Sequence, residues 1–312
     1  MIISLEKAVE LIRSGDVVAI PTETVYGLAA DAFHPEAVKK TFTLKGRPPE
    51  NPLIVHISSF EQLEGLAESI PEEAHRLAET FWPGPLTLVL NKKPVVPDIV
   101  TAGLPTVAVR MPDHPLTCKL IERTGPLTAP SANRSGSPSP TRARHILEDY
   151  QSEVAVLDGG QSEIGLESTV LDLTSSERCI LRPGFITAEM ISTKTGIRVT
   201  HQTENIKQNS KSPGTRYTHY KPKALVFWLD EVPKSFEDKS YYLLHSKNIS
   251  VSQKNVHSYE GNFHAFARGL YDHFRTADHL SYSQIFVEKL PEESAHPLIF
   301  ALKDRLDRAI SS

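Results

Sequence analysis

Only two cysteines, Cys118 and Cys179, occur in the 312-residue chain, each isolated in an apolar segment. They make neither a disulfide framework nor a zinc spacing, which suits a reducing compartment. The first residues, Met1-Ile2-Ile3-Ser4-Leu5-Glu6-Lys7, lack the basic and apolar regions of a secretory signal, and no apolar run reaches membrane-spanning length. The expectation is therefore a cytoplasmic protein with no membrane contact. Nor is there a G-x-x-x-x-G-K-[ST] loop, a G-x-G-x-x-G fingerprint, a C-x-x-C, an H-E-x-x-H or a G-x-S-x-G elbow. These absences leave the phosphate-loop, dinucleotide, zinc-protease and serine-hydrolase classes without support. A net charge of −4 argues against a general polyanion-binding surface but leaves room for a local basic cleft. The 39% hydrophobic and 23% charged composition is that of an ordinary globular protein, long enough for two domains.

What the chain does have is a proline-framed basic stretch, Lys45-Gly46-Arg47-Pro48-Pro49-Glu50-Asn51-Pro52. Two cations alternate across a glycine while the prolines hold the backbone away from helix. An arginine fork beside a mobile ammonium suits a multiply charged anion; a solvated basic turn is the plainer reading of the same residues. Around this stretch, strand and helix patterns alternate through residues 1–200. Helices are expected from Ser4 to Gly15, from Pro35, and over 60–68, 72–81, 115–123, 141–150 and 187–195. Strands are expected at 17–20, 53–57, 86–90, 106–110, 154–157, 168–173 and 179–181. Residues 22–28 read as a polar turn after a strand, and 130–140 as a loop dense in hydroxyls. Periodicity fades over 201–211, followed by an aromatic and cationic stretch to Pro222. A smaller α/β unit then has strands at 224–229, 241–245 and 285–287, a core stripe of Phe263, Phe266, Ala267, Leu270, Tyr271 and Phe274, and a helix over 298–309.

Cations and hydroxyls recur near strand ends: Thr22, Lys45, Arg47, His56, Thr106, Arg110, Ser131, Asn133, Ser168 and Arg182. Strand ends of successive βα units can converge at one sheet edge, and these groups together would bind phosphates and carboxylates rather than abstract protons. Each also has a structural reading. Arg110 and Arg182 could pair with surface carboxylates, His56 could be a satisfied core histidine, and Ser131 and Asn133 could be turn formers. Ser168 could start a strand, Thr106 could be a β-former, and Tyr217, His219 and Tyr220 could be interdomain packing or a lid.

Pro21-Thr22-Glu23-Thr24-Val25-Tyr26-Gly27-Leu28, Lys45-Gly46-Arg47-Pro48 and Pro130-Ser131-Ala132-Asn133 resemble the signature of the YrdC-like family, whose hallmark is a Lys-x-Arg and a Ser-x-Asn at about this separation. Glu167-Ser168-Thr169-Val170, Leu181-Arg182-Pro183-Gly184 and Ser212-Pro213-Gly214 with Tyr217, His219-Tyr220 and Pro222 also match. The linker and Asp304-Arg305-Leu306 with Arg308-Ala309 resemble the family's long, two-domain form. The resemblance spans nearly the whole chain and is weak through residues 225–300.

The resemblance implies an α/β fold: a YrdC-like catalytic domain over 1–200 built on a twisted open mixed sheet with a basic cleft, a linker or lid over 201–223, and a smaller Rossmann-like domain over 224–312. It implies nucleotidyl transfer, in which L-threonine, bicarbonate or CO2, and ATP give threonylcarbamoyl-AMP and pyrophosphate, the first step of tRNA threonylcarbamoyladenosine modification next to the anticodon. ATP is then a substrate accompanied by Mg2+, with no tightly bound organic cofactor and no metal held by the protein. The product would pass to a threonylcarbamoyl-transferase machinery, and transient tRNA contact stays open. By carry-over, Lys45 and Arg47 are the catalytic pair. With Thr106, Ser131, Asn133, Ser139 and Arg182 they hold ATP, joined by Tyr217, His219 and Tyr220 from the lid. Thr22, His56, Arg110 and Ser168 bind threonine, Arg110 taking its carboxylate. Positioning and charge neutralisation suffice for such chemistry, which accounts for the missing nucleophile motifs. Two other readings stand beside it, a tRNA-binding module without turnover and a YrdC-type carbamoyl transferase.

Overall fold

A computed structural model of the protein describes residues 1–201, 220–246, 253–292 and 296–310. The strands of the first 201 residues are β1 (Ile2–Ile3), β2 (Val18–Ile20), β3 (Gly27–Asp31), β4 (Ile54–His56), β5 (Leu86–Asn91), β6 (Thr106–Arg110), β7 (Leu127–Thr128), β8 (Ala155–Leu157), β9 (Thr169–Asp172), β10 (Cys179–Arg182) and β11 (Thr200–His201). The helices between them are α1 (Leu5–Arg13), α2 (Pro35–Lys45), α3 (Phe60–Leu66), α4 (Glu72–Phe81), α5 (Asp98–Thr101), α6 (Pro115–Thr124), α7 (Ala143–Tyr150) and α8 (Ala188–Thr195). All eleven strands form one mixed sheet in the order β1-β8-β2-β3-β7-β4-β6-β5-β9-β10-β11. The second sheet is parallel, β12 (Leu225–Leu229), β15 (Gln284–Glu288), β13 (Ser240–Leu244) and β14 (Val256–Ser258) in that spatial order. It carries α9 (Phe263–His279) and α10 (Ile299–Ala309).

Local chemistry sets most of these boundaries. The Ser4 hydroxyl accepts from the Lys7 amide at 3.3 Å to cap α1, and Pro35 occupies the first turn of α2. α2 ends on Gly46, whose φ of +59° is the left-handed cap that a side chain would strain. The polar turn expected at 22–28 is shorter, because Gly27-Leu28-Ala29-Ala30-Asp31 pairs antiparallel with β2. Small residues hide that strand from a pattern reading, since they carry little β-propensity. The expected mixed sheet is present, and it includes three strands of two residues (β1, β7, β11), while the four-residue helix α5 leads into β6; all are too short to show a period.

Two apolar faces decide where a cavity can lie. Val55, Leu88, Val107, Val109 and Leu171 point to one side of the sheet, into the largest core, which includes Val38 and Phe42 of α2, Leu77 and Phe81 of α4, and Ile191 of α8. On the other side the same strands carry only Ile54, Val89, Ala108 and Val170, with Leu181 against them. The strand alternation thus leaves that side shallow, and a cleft opens over it.

The two sheets share a core. Val25 and Leu166 from the first unit pack with Phe266, Leu270, Tyr271, Leu302 and Leu306. The segment at 164–166 is tied to the turn after β2 by Ile164 N to Glu23 O at 2.8 Å and Gly165 N to Thr24 O at 3.1 Å. At Gly165, with φ +78°, a Cβ would lie 2.5 Å from Arg268 Cα and 2.6 Å from Ala267 O, both backbone atoms of α9. Gly165→Ala is therefore expected to push α9 off the first unit, costing at least about 1 kcal/mol. Thermal unfolding and limited proteolysis should show a lower midpoint and faster cleavage; unchanged values would mean that this close approach does not hold the two units together.

Candidate functional site

The cleft spans about 740 Å³, counting the part open to solvent. Thr22, Lys45, Arg47, His56, Arg110, Ser131, Asn133, Ser168, Arg182 and Tyr220 stand in its wall. Strand direction explains the convergence. β4 and β6 run parallel with His56 opposite Arg110, so their C-terminal ends deliver both side chains together. β10 runs antiparallel to β9, with Arg182 opposite Val170, so the end of β10 lies beside Ser168. Thr106 opens β6 opposite Asn91, at the far end of the strand from Arg110 and on the same face of the sheet. Tyr217 and His219 lie outside the described residues.

The Lys45 stretch is no solvated turn: Lys45 is 3% exposed. Its ammonium donates to the carbonyls of Ser131 at 2.5 Å and Asn133 at 2.7 Å, so the Lys-x-Arg and Ser-x-Asn stretches are joined by its side chain. Burial and the neighbouring Arg47 pull its pKa well below the usual lysine range, a pull that an arriving anion would oppose. Arg47 donates Nε to Asn51 O at 3.2 Å and a terminal nitrogen to Pro52 O at 2.9 Å, so the prolines and Asn51 orient the guanidinium. Asn133 commits both amide protons, to Arg134 O at 2.8 Å and Ser137 O at 2.9 Å, while Oδ1 has no partner among the described residues.

At the other end, Arg110 donates Nε to Gly84 O at 3.2 Å and a terminal nitrogen to Thr24 Oγ1 at 2.8 Å. Its second terminal nitrogen sits 2.5 Å from Glu23, a contact of opposite charges rather than an aligned hydrogen bond. Thr22 Oγ1 donates to Val25 O at 2.6 Å and lies 2.8 Å from Thr24 Oγ1, shaping the turn. Ser168 is 2.8 Å from Thr87 Oγ1, and its carbonyl accepts from Arg182 at 3.0 and 3.1 Å. Burial, reinforced by Arg110, lowers the His56 pKa to about 3, and its Nδ1 is unpartnered among the described residues. His56 therefore faces the cleft as a neutral ring.

Sequence reasoning underused Glu167, which lines the cleft and takes the Ser139 hydroxyl at 2.5 Å. Ser139 itself is fully buried one carboxylate behind the wall. Burial pushes the Glu167 pKa up, but Arg305, Arg182 and Ser139 hold it below the usual carboxylate range. Glu167 also accepts from Tyr271 OH at 3.0 Å and from Arg305 Nε at 2.9 Å, two groups of the second unit. Tyr271 belonged to the expected core stripe, yet its hydroxyl works at the cleft. For Arg305 a signal was available: a cation at a core position of the α10 stripe, three residues after Leu302. The arrangement offers fixed cations and hydroxyls to an anion. Among the described residues it has no hydrogen bond between His56 and a hydroxyl that would make a nucleophile and base, and no cluster of three or more His, Cys, Asp or Glu fit for a metal.

Along nearly its whole length the chain is similar to known proteins. The Sua5/YciO/YrdC family model, described as telomere recombination, matches residues 10–184, and a model described as threonylcarbamoyl-AMP synthase, C-terminal domain, matches residues 186–311. The threonylcarbamoyl-AMP synthase of Pyrococcus abyssi is 44% identical over 97% of this chain and 92% of its own length. That of Bacillus subtilis is 41% identical over 98% and 92%. The crystal structure of P. abyssi Sua5 complexed with L-threonine superposes with a TM-score of 0.86 at 42% identity, covering 98% of this chain and 93% of that one.

The neutral His56 sets a pH dependence of stability. Between its ordinary value of 6.5 and about 3, the unfolded chain takes up a proton that the folded chain refuses, so stability falls as pH falls through that window. One such proton is worth about 1.4 kcal/mol per pH unit. In His56→Gln the slope of unfolding free energy between about pH 6 and 4 should flatten by up to that amount. An unchanged slope would show that the imidazole protonates in the folded protein.

Proposed function

The chain belongs to the Sua5/YciO/YrdC family, in the form that carries the threonylcarbamoyl-AMP synthase C-terminal domain, and from this and the cleft we infer that it is a threonylcarbamoyl-AMP synthase. It uses ATP, L-threonine and bicarbonate or CO2 to make threonylcarbamoyl-AMP and pyrophosphate, the first step of threonylcarbamoyladenosine formation in tRNA. The observation that carries the reading is the joining of Lys45 to the Ser131 and Asn133 carbonyls, in a cleft that gathers four cations and several hydroxyls with no hydroxyl paired to His56 among the described residues.

In the proposed sequence, the threonine amine captures CO2 as a carbamate, releasing a proton. A carbamate oxygen then attacks the α-phosphorus of ATP, forming the P–O bond as the bond to pyrophosphate breaks. Lys45, Arg47 and Arg182 neutralise the phosphates, and Asn133 and Ser131 hold the nucleoside side, with Tyr220 in the wall beside them. Ser139 acts through Glu167. Arg110 takes the threonine carboxylate. Its five N–H donors exceed the three partners it has, and the Glu23 contact fixes the plane of its fork. Neutral His56 and the hydroxyls of Thr22 and Ser168 complete that end. Mg2+ fits as a companion of the triphosphate: the wall is cationic, so the ion's ligands would come from phosphate oxygens and water. The roles of Tyr217 and His219 in a lid over the nucleotide, cytoplasmic operation and hand-off to a transferase are part of the same proposal. It is consistent with the absence of a membrane-spanning helix among the described residues.

Pyrophosphate release measured with ATP, L-threonine and bicarbonate together, and with each omitted, should require all three; release without threonine would overturn the assignment. Lys45→Met removes the ammonium but keeps most of the side-chain volume, and should cut turnover by at least about 100-fold. Because it also leaves two buried carbonyls unpaired, its thermal midpoint must be read alongside.

A further inference from the structure

The cleft is not built by the first sheet alone. Among the described residues in its wall, Glu167 is the one carboxylate amid Lys45, Arg47, Arg110 and Arg182. A carboxylate there is a hazard to an anion site, since it could occupy the cations itself. Its field already reaches Lys45 and Arg182. What restrains it comes from the second unit. Arg305 is fully buried, and its Nε donates to Glu167 Oε2 at 2.9 Å while Tyr271 OH donates to the same oxygen at 3.0 Å. Ser139 takes Oε1 at 2.5 Å. Asp304 backs Arg305 with a 2.7 Å hydrogen bond, and the guanidinium carbon lies 5.5 Å from the centroid of the Tyr220 ring. That ring stacks on Tyr271 at 5.4 Å and lines the cleft.

Packing alone does not account for the arginine. Its neighbours on the buried stripe of α10 are Ile299, Leu302, Leu306 and Ala309. A leucine or methionine would fill such a position without the desolvation cost of a charge. A guanidinium does what they cannot: it fixes one carboxylate oxygen in direction and offers its face to an aromatic ring.

We propose that Arg305 is a positioning residue for the nucleotide site, holding Glu167 back from Lys45 and Arg182 so that those cations stay open to substrate phosphates, and seating Tyr220 in the cleft wall. The second unit thereby completes the site of the first. This rests on the reading of the cleft as an ATP site.

The test compares Arg305→Met, Glu167→Gln and the double variant, using equilibrium binding of ATP and threonine-dependent pyrophosphate release. Arg305→Met frees Glu167 to swing onto the cations, and should raise Kd and KM for ATP about tenfold while lowering kcat less. Adding Glu167→Gln removes the intruding charge and should return most of that loss, a non-additive rescue. Arg305→Lys should fall between the parent and Arg305→Met, and carries the same comparison if Arg305→Met does not fold. A role in packing only would instead lower the thermal midpoint, leave Kd and KM for ATP unchanged and give no rescue by Glu167→Gln, and that pattern overturns the proposal. Failure of the parent protein to bind ATP or release pyrophosphate would count against the assignment of the cleft itself.

Discussion

Cations withdrawn from water must be met by fixed acceptors, and much of this molecule is arranged to supply them. Lys45 is met by two carbonyls, Arg47 by two more, Arg182 by the carbonyl and hydroxyl of Ser168, and Arg110 by a carbonyl, a hydroxyl and the Glu23 carboxylate. Apart from Glu23 these acceptors are neutral and satisfy hydrogen-bonding capacity without cancelling charge, so Lys45, Arg47 and Arg182 keep a positive field that an incoming polyanion can use. The density of prolines and short polar turns around the cleft serves the same end: each such turn exposes backbone carbonyls that a helix or strand would have consumed.

Much of this was legible in the sequence, and the failures have physical causes. Long periodic helices such as α4 and the strand β6 stood out because their patterns repeat over enough residues to be seen. β3 escaped because alanines and a glycine report no preference, although its pairing with β2 and β7 is what aims the turn at Thr22. Lys45 looked exposed because a lysine in a short basic loop usually is; its burial depends on carbonyls about ninety residues away in the chain. The contributions of Glu167, Tyr271 and Arg305 were written in motif and stripe positions, but only the fold brings them together.

The second unit is accordingly more than an appendage. Arg275 of α9 grips Pro138 O and, through both terminal nitrogens, the Asp149 carboxylate at 2.7 and 2.9 Å. Arg142, Arg144 and His145 of the first unit meet Asp272 from the same helix. These contacts and the Gly165 approach fasten α9 along the loop that bears Ser139 and beside the segment that leads to Glu167. Interdomain surfaces of this charged kind are specific in register, which keeps Tyr271 and Arg305 aimed at a single carboxylate.

Asn133 adds a different kind of selectivity. With both amide protons turned to Arg134 and Ser137, it can show the cleft only an oxygen. In a wall otherwise rich in donors, that oxygen is an acceptor, open to a proton donor rather than to an anion. On the proposed reading of the cleft as a nucleotide site, a sugar hydroxyl or an exocyclic amine would be welcome at it and a phosphate oxygen repelled, so one neutral side chain would tell the two ends of a nucleotide apart.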